Sequence, residues 1–304
     1  MVRRPDEDAR DRCRAVGRCH RGTCAGAPAP AAPRTVLLGA LHPANVSDLG
    51  ASGAEIGPVA TIVVPCYNEA QRLDRDALLA LAAEPSVRLV FVDDGSTDAT
   101  AAVLQGLAKA SSDIEVVTLE TNQGKAEAVR FGMLDALEDS APLIGYYDGD
   151  LATPPVELLR LVAALVDHPD VECVLGARVA LLGTAIERRP FRHYAGRLFA
   201  SAASAALGVQ VYDTQCGAKV FRASAALRAA VAEPFRSRWA FDVELLDRLL
   251  RGGSAAASVR PEQLLEVPLH AWRDVSGSGM SLRGGVEAFR DVARIGWNRK
   301  QTRR

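Results

Sequence analysis

The chain has 304 residues, with 48% hydrophobic and 24% charged side chains and a formal net charge of -1. That is enough apolar content for a sizeable core, and it leaves no global field that would attract nucleic acid. No run of about 18 apolar residues occurs, which excludes a spanning helix, and the charged opening residues Arg3, Arg4, Asp6, Glu7 and Asp8 have no apolar run behind them, so no secretory signal peptide is expected and the cytoplasm is the expected compartment.

Residues 1–56 are rich in Arg, Ala, Pro and Gly with little periodicity, and are expected to form a disordered leader. Cys13, Cys19 and Cys24 sit there with His20, but without a paired C-x-x-C or a second half-site, so free thiols are expected rather than a zinc knuckle. Cys66, Cys173 and Cys216 lie in apolar surroundings and read as small core residues.

Order is expected to begin near Val59. Ala60 to Pro65, Val87 to Val92, Ile114 to Thr118 and Leu143 to Tyr147 are short β-rich apolar runs. Between them Asp76 to Ala83, Asp98 to Ala110 and Gly124 to Leu137 carry apolar residues at helical spacing. Strand and helix alternate in units short enough for βαβ crossovers, so an α/β fold with a mostly parallel sheet flanked by helices is predicted. Further strands are predicted at Val171 to Leu175, Ala218 to Phe221 and Leu264 to Leu269, and helices at Pro190 to Leu207 and Asp242 to Leu250. With no tandem repeat or linker inside it, 57–280 reads as one domain.

Such sheets bind ligands beyond the carboxyl ends of their strands, and the polar residues collect there. Pro65-Cys66-Tyr67-Asn68-Glu69 follows the first strand and Asp93-Asp94-Gly95-Ser96-Thr97-Asp98 the second. Asn122-Gln123-Gly124-Lys125 opens the helix after the third, and Asp148-Gly149-Asp150 ends the fourth. On an extended strand Asp148 and Asp150 would point to one side, and two such carboxylates repel unless a cation lies between them. A hard divalent ion, Mg²⁺ or Mn²⁺, suits those oxygens and also binds substrate phosphates. A plain Asp-Gly turn is the structural alternative.

Asp93 or Asp94 could accept a hydrogen bond from the imide of a pyrimidine base, whereas Asp98 is expected to cap a helix. Lys125 and free backbone N–H groups at the helix start could contact phosphate, or Asn122 could merely cap the helix. Neither a P-loop nor a G-x-G-x-x-G fingerprint is present, which excludes a kinase or NTPase and a dinucleotide-binding reading. A nucleotidyltransferase would carry a Gly-rich basic loop straight after its first strand, and Pro65 to Glu69 is not one.

In order and spacing, Val64 to Glu69, Asp93 to Asp98, Asn122-x-Gly124-Lys125 and Asp148-x-Asp150 resemble the family 2 glycosyltransferases. Gly176-Ala177-Arg178, Asp213 to Lys219 and Trp239 to Glu244 look like the dolichyl-phosphate β-glucosyltransferase branch and its bacterial polyprenyl-phosphate relatives. The resemblance spans roughly 59–280. It implies a single GT-A domain, Rossmann-like, and an inverting transfer of a sugar from a nucleotide-sugar to a polyprenyl or dolichyl phosphate. UDP-glucose is the implied donor, with GDP-mannose second. Donor contacts are implied at Pro65, Tyr67, Glu69 and Asp93 or Asp94, and metal and diphosphate contacts at Asp148 and Asp150. Where related transferases carry a metal-assisting Gln two residues after the second Asp, this chain has Ala152, and where they carry Gly-Ser-Lys it has Gly277-Ser278-Gly279.

The acceptor side is read from Arg178, Arg188, Arg189, Arg192 and Arg197, whose forks match phosphate oxygens; a solvated helix face is the alternative. Arg178 and Arg192 are the chosen acceptor-orienting residues. Asp242 is either a helix cap or a general base, and a phosphate acceptor, already anionic near neutral pH, would need no strong base. Trp239 and Trp272 read as packing residues. Leu282 to Trp297 spaces Val286, Phe289, Ala293 and Trp297 along one face among many arginines, so 281–304 is either a basic helix for peripheral membrane contact or a helix packed on the domain. Transfer to a soluble acceptor and a catalytically inactive sugar-nucleotide-binding protein are the rival functions.

Overall fold

The computed structural model describes residues 34–35, 59–188, 190–252, 258–275 and 282–302, without the side chains of 34–35, 190–192, 282–283, 300 and 302. The strands are β1 (Arg34–Thr35), β2 (Ala60–Cys66), β3 (Val87–Asp93), β4 (Ile114–Thr118), β5 (Leu143–Tyr147), β6 (Cys173–Ala177), β7 (Ala185–Glu187), β8 (Ala218–Arg222), β9 (Leu264–Pro268) and β10 (Ala271–Arg273). The helices are α1 (Arg75–Ala82), α2 (Thr100–Ala110), α3 (Lys125–Glu138), α4 (Pro155–Asp167), α5 (Pro190–Leu207), α6 (Ala225–Ala232), α7 (Phe241–Arg251) and α8 (Leu282–Thr302). Apart from β1, the predicted leader and its cysteines lie outside the described residues, as does Gly277-Ser278-Gly279.

One sheet runs β1-β9-β6-β8-β5-β2-β3-β4, and β7 pairs with β10 in a small second one. Every neighbouring pair in the large sheet is parallel except those made by β8, which is antiparallel to both β5 and β6. The sheet is therefore mixed and mostly parallel, as predicted, and helices cover both of its faces, with one apolar core on each. Strands buried on both faces read as unbroken apolar runs rather than alternating ones, and Val87–Asp93 is such a run. Pro65 is tolerated in a central strand because β5 pairs only with Ala60 to Val63, so the missing N–H falls beyond the end of that ladder.

Two helices were not legible as such. Pro154-Pro155 looks like a loop, yet Pro155 starts α4, where a fixed φ suits the first turn. Ser224 caps α6 by accepting from the Leu227 amide. At the other end of the chain α8 packs through Ala288 and Val292, which are buried in the core beside α5. Most of the stripe named from the sequence points the other way: Val286 is 62% exposed and Trp297 66%, whereas Phe289 sets its ring edge-on against Phe199 of α5 at 5.3 Å. Among the described residues no helix is long and apolar enough to cross a membrane.

Candidate active site

The loops beyond β2, β3, β4 and β5 are laced together by side chains. Asn68 turns the chain with φ +53° after β2. Its Oδ1 accepts from the amides of Thr97 (2.9 Å) and Asp98 (3.3 Å), and its own amide donates to Ser96 Oγ at 3.0 Å. Asp98 is not the N-cap of α2, which is Ala99 without a side-chain cap bond; from one residue earlier it accepts from the Thr100 amide at 2.9 Å. Asp94 is buried, and its two oxygens accept from the amides of Gln123 (2.7 Å) and Gly124 (2.8 Å). Its carboxylate is thereby committed to the loop before α3. Those two amides are consequently not free for a phosphate. Asp93, also buried, accepts from the Ser96 amide at 3.0 Å, and Tyr67 stands exposed at the strand end.

Asp148 and Asp150 do not lie on the strand. β5 ends at Tyr147, and both acids sit in a turn closed by the Leu151 amide on the Asp148 carbonyl at 3.2 Å. The i, i+2 argument for an extended strand therefore does not place them; the turn does. The Asp148 amide donates to the Gly217 carbonyl at 2.9 Å. A Cβ on Gly217 would stand 2.0 Å from Asp148 Oδ2, so only glycine leaves that carboxylate its place.

The charges around this turn form one group. Lys125 Nζ lies 2.6 Å from Asp148 Oδ1, and Arg72 Nη2 is 3.9 Å from Asp150 Oδ2. Arg72 Nε also pairs with Glu69 at 3.0 Å. Burial and then the charge of Asp148 push the Asp150 carboxyl up from its ordinary value, against the Ala152 amide, Lys125 and Arg72. Glu69 is raised by burial, opposed by Arg72 and reinforced by Asp150, Asp98 and Asp148. Burial lowers Lys125, but Asp148, Asp242 and Asp150 outweigh it and hold the ammonium above its usual value. Thus Glu69, Lys125, Asp148 and Asp150, all chosen from the sequence, are brought together, and Arg72 is a member that the sequence reading missed.

Among the described residues no three His, Cys, Asp or Glu groups are arranged to hold a metal ion. Two carboxylates are present in one turn, and burial together with the charge of Asp148 disfavours the ionised form of Asp150. A hard divalent ion that completes its shell with substrate oxygens fits that donor set.

On the far side of the sheet junction the charges are already paired. Arg178 grips Asp213 in a fork, Nε to Oδ2 at 2.6 Å and Nη2 to Oδ1 at 2.8 Å. This holds the Asp213 carboxyl well below its usual range despite burial. The guanidinium also lies 5.2 Å from the Trp272 ring, and Arg188 lies 5.9 Å from the same ring. Arg197 donates to the Tyr212 carbonyl at 3.1 Å. Arg189 and the side chain of Arg192 lie outside the described residues.

Asp242 is not the cap of α7. That position is Ala240, which makes no side-chain cap bond, and Asp242 lies in the first turn with its carboxylate turned into the protein. Its Oδ1 accepts from Lys219 Nζ at 2.6 Å and from the Tyr146 hydroxyl, and its Oδ2 from Gln215 Nε2 at 3.2 Å. Lys219 is 0% exposed and also donates to the Cys216 carbonyl. Lys219 closes the Asp213 to Lys219 segment singled out in the sequence, but nothing local there signals its burial or its pairing with Asp242. Cys66, Cys173 and Cys216 are free and buried, and burial raises their thiols, as fits core residues.

The pattern of Glycosyl transferase family 2 matches residues 61–228. A dolichyl-phosphate beta-glucosyltransferase of Trichomonas vaginalis is 31% identical over 248 residues, 77% of this chain and 70% of that protein. An undecaprenyl-phosphate 4-deoxy-4-formamido-L-arabinose transferase of Sodalis glossinidius is 31% identical over 170 residues, 53% of this chain and 48% of that one. The solved structure of glucosyl-3-phosphoglycerate synthase from Mycobacterium tuberculosis with Mn²⁺, UDP-glucose and phosphoglyceric acid superposes with a TM-score of 0.58. It covers 88% of this chain and 87% of that one at 18% identity, which speaks for the fold alone. The chain belongs to glycosyl transferase family 2 and is a glycosyltransferase of GT-A fold.

Proposed function

We propose that the protein transfers a sugar, glucose from UDP-glucose in the first instance, onto the phosphate of a polyprenyl or dolichyl lipid with inversion at the anomeric carbon. The observation that carries this reading is the turn that brings Asp148 and Asp150 together beside Lys125. Asp148 and Asp150 would hold Mg²⁺ or Mn²⁺, which when bound neutralises charge on a leaving diphosphate. Tyr67, Pro65, Glu69 and Asp93 are assigned to the nucleotide, and Asp94 to fixing the loop before α3, which its bonds to the Gln123 and Gly124 amides support.

In the transfer a phosphate oxygen of the acceptor bonds to the anomeric carbon while the bond to the diphosphate oxygen breaks. The electron pair leaves with the nucleoside diphosphate. Both oxygens of Asp242 are engaged by Lys219, Tyr146 and Gln215. A hydroxyl acceptor needs a base to take its proton, whereas a phosphate monoester with its second pKa of about 6 does not. The tied carboxylate therefore favours the phosphate acceptor. Arg178 and Arg192 are assigned to its side of the cleft, with Arg178 held rigid by Asp213.

A soluble phosphate-bearing acceptor is the second reading, since a phosphate on either carrier is anionic near neutral pH and needs no base from Asp242. The outward Val286 and Trp297 of α8, with Arg290 and Arg294 exposed on the same helix, support peripheral contact with the cytoplasmic face of an anionic membrane.

One experiment tests these assignments together. The protein is incubated with labelled UDP-glucose and Mn²⁺, either with anionic vesicles carrying polyprenyl phosphate or with 3-phosphoglycerate. Label in the lipid and protein sedimenting with the vesicles are expected. Label only in phosphoglycerate would refute the lipid acceptor, and labelled free glucose alone in both arms would leave no transferase activity to assign.

A further inference from the structure

The turn Asn122-Gln123-Gly124-Lys125 divides its work among its residues. The amides of Gln123 and Gly124 are taken by Asp94, and Lys125 reaches Asp148. Asn122 does not cap α3, whose N-cap is Gly124 without any side-chain cap bond. Its Oδ1 instead accepts from Arg238 Nη2 at 3.0 Å, a partner 116 residues further on in the segment before α7. Gly124 makes room for this arginine: a Cβ there would meet Arg238 Nε at 2.9 Å and Cζ at 3.2 Å, and φ is +94° besides.

A guanidinium at this place is electrostatically exposed. It stands over the positive end of a 14-residue helix, beside a lysine. Lys125 has its charge offset by Asp148. The partner of Arg238 among the described residues is the neutral oxygen of Asn122, and its side chain is open to solvent. Since Asp94 already occupies the loop amides, an anion arriving here meets side-chain cations rather than backbone N–H groups. Arginine presents planar N–H donors that match phosphate oxygens.

We infer that Arg238 is a second cation of the donor site, gripping an oxygen of the nucleotide-sugar's diphosphate from its place over the Asn122–Gly124 loop. The assignment rests on the donor reading above and deepens it. Asn122 then serves as the rest that holds the guanidinium before the ligand arrives. Lys125 shares this turn with the arginine's rest, which ties Arg238 to the donor rather than to the acceptor; the cations over Trp272 belong to another strand end. Because Arg238 directly precedes Trp239 and the first turn of α7, its capture also steadies the segment that leads to Asp242.

Titration calorimetry on the full chain with Mn²⁺ tests this, using UDP and GDP and, as phosphate-free controls, uridine and guanosine. Arg238→Ala should weaken the preferred diphosphate about tenfold or more, the worth of one charge-assisted hydrogen bond, and leave the nucleoside unchanged. Arg238→Lys should fall between, and Asn122→Ala should lose less in the same direction. Thermal melts establish that each variant is folded, and the lysine variant keeps the test decisive if alanine is not tolerated. Folded variants that bind the diphosphate as the unaltered chain does overturn the assignment while the donor reading stands. So does a loss seen only in the KM for the acceptor. If the unaltered chain binds neither UDP nor GDP, the donor reading falls and Arg238 loses its role with it.

Discussion

The two halves of the cleft treat charge in opposite ways. Around Asp148 and Asp150 the acids outnumber their partners, and Asp150 and Glu69 are both pushed toward the neutral form. Across the junction made by β8, Arg178 and Asp213 saturate each other, and Lys219 and Asp242 do the same inside the core. The first arrangement sets three acids, Glu69, Asp148 and Asp150, against two cations, Lys125 and Arg72, and so has a place for something positive from outside. In the second each acid already has its own cation. A charged residue near a cleft is thus no guide to its role until its partner is known.

The sharpest way to break this comparison is at the incomplete side. Asp148→Asn and Asp150→Asn should each lower kcat/KM by about 100-fold or more, the scale found when electrostatic support of a developing charge is removed. Each should stay folded, because neither acid anchors the core. Steady-state kinetics with UDP-glucose and Mn²⁺ would decide it. Wild-type turnover in both variants would take the pair out of the reaction.

The complete side should show the reverse, a large cost in stability. Lys219→Met leaves Asp242 buried without its countercharge and should cost about 3–5 kcal/mol. The double variant Lys219→Met with Asp242→Asn should recover part of that loss, because the orphaned charge is gone. Urea unfolding measures both. A single variant that loses under about 1 kcal/mol, or a double variant that is worse by simple addition, would show that the pair is not a closed unit.

Much of the incomplete side was legible because parallel α/β sheets gather function at strand ends. Reading the ends of β2, β3 and β5 in order therefore found Glu69, Asp93, Asp94, Asp148 and Asp150. What the sequence could not show is how each is spent. Asp94 and Asp93 are adjacent carboxylates, yet only Asp94 is committed by both oxygens to the next loop, and that follows from the approach of Gln123 and Gly124 some thirty residues later. The closed side was hidden for the same reason. Asp242 looked like a helix cap because it precedes a helix, but its partners Lys219, Tyr146 and Gln215 come from β8, β5 and the loop between α5 and β8. Pairing across an antiparallel insertion leaves no local signature. The same holds for α8, where 3.6-residue periodicity found an apolar stripe but not which of two stripes faces the core.

The smallest predicted effect sharpens the comparison by titration. The folded-state pKa of Asp150 is raised, so the native protein keeps this proton to a higher pH than the unfolded chain does. Its contribution to stability must therefore fall as pH rises from the ordinary Asp value through the raised one, and at neutral pH the ionised group is a net cost. In the metal-free protein Asp150→Asn removes that cost. The variant should be more stable than the unaltered chain at pH 7, and the advantage should vanish once the pH drops below the ordinary carboxylate range. Adding Mn²⁺ should reverse the order, since the ion stabilises only the protein that can bind it. Melting curves against pH, in chelator and in Mn²⁺, measure all of this. A metal-free variant that is less stable at pH 7 would mean that Lys125 and Arg72 already offset this acid in full, and the donor side would be as closed as the one across β8.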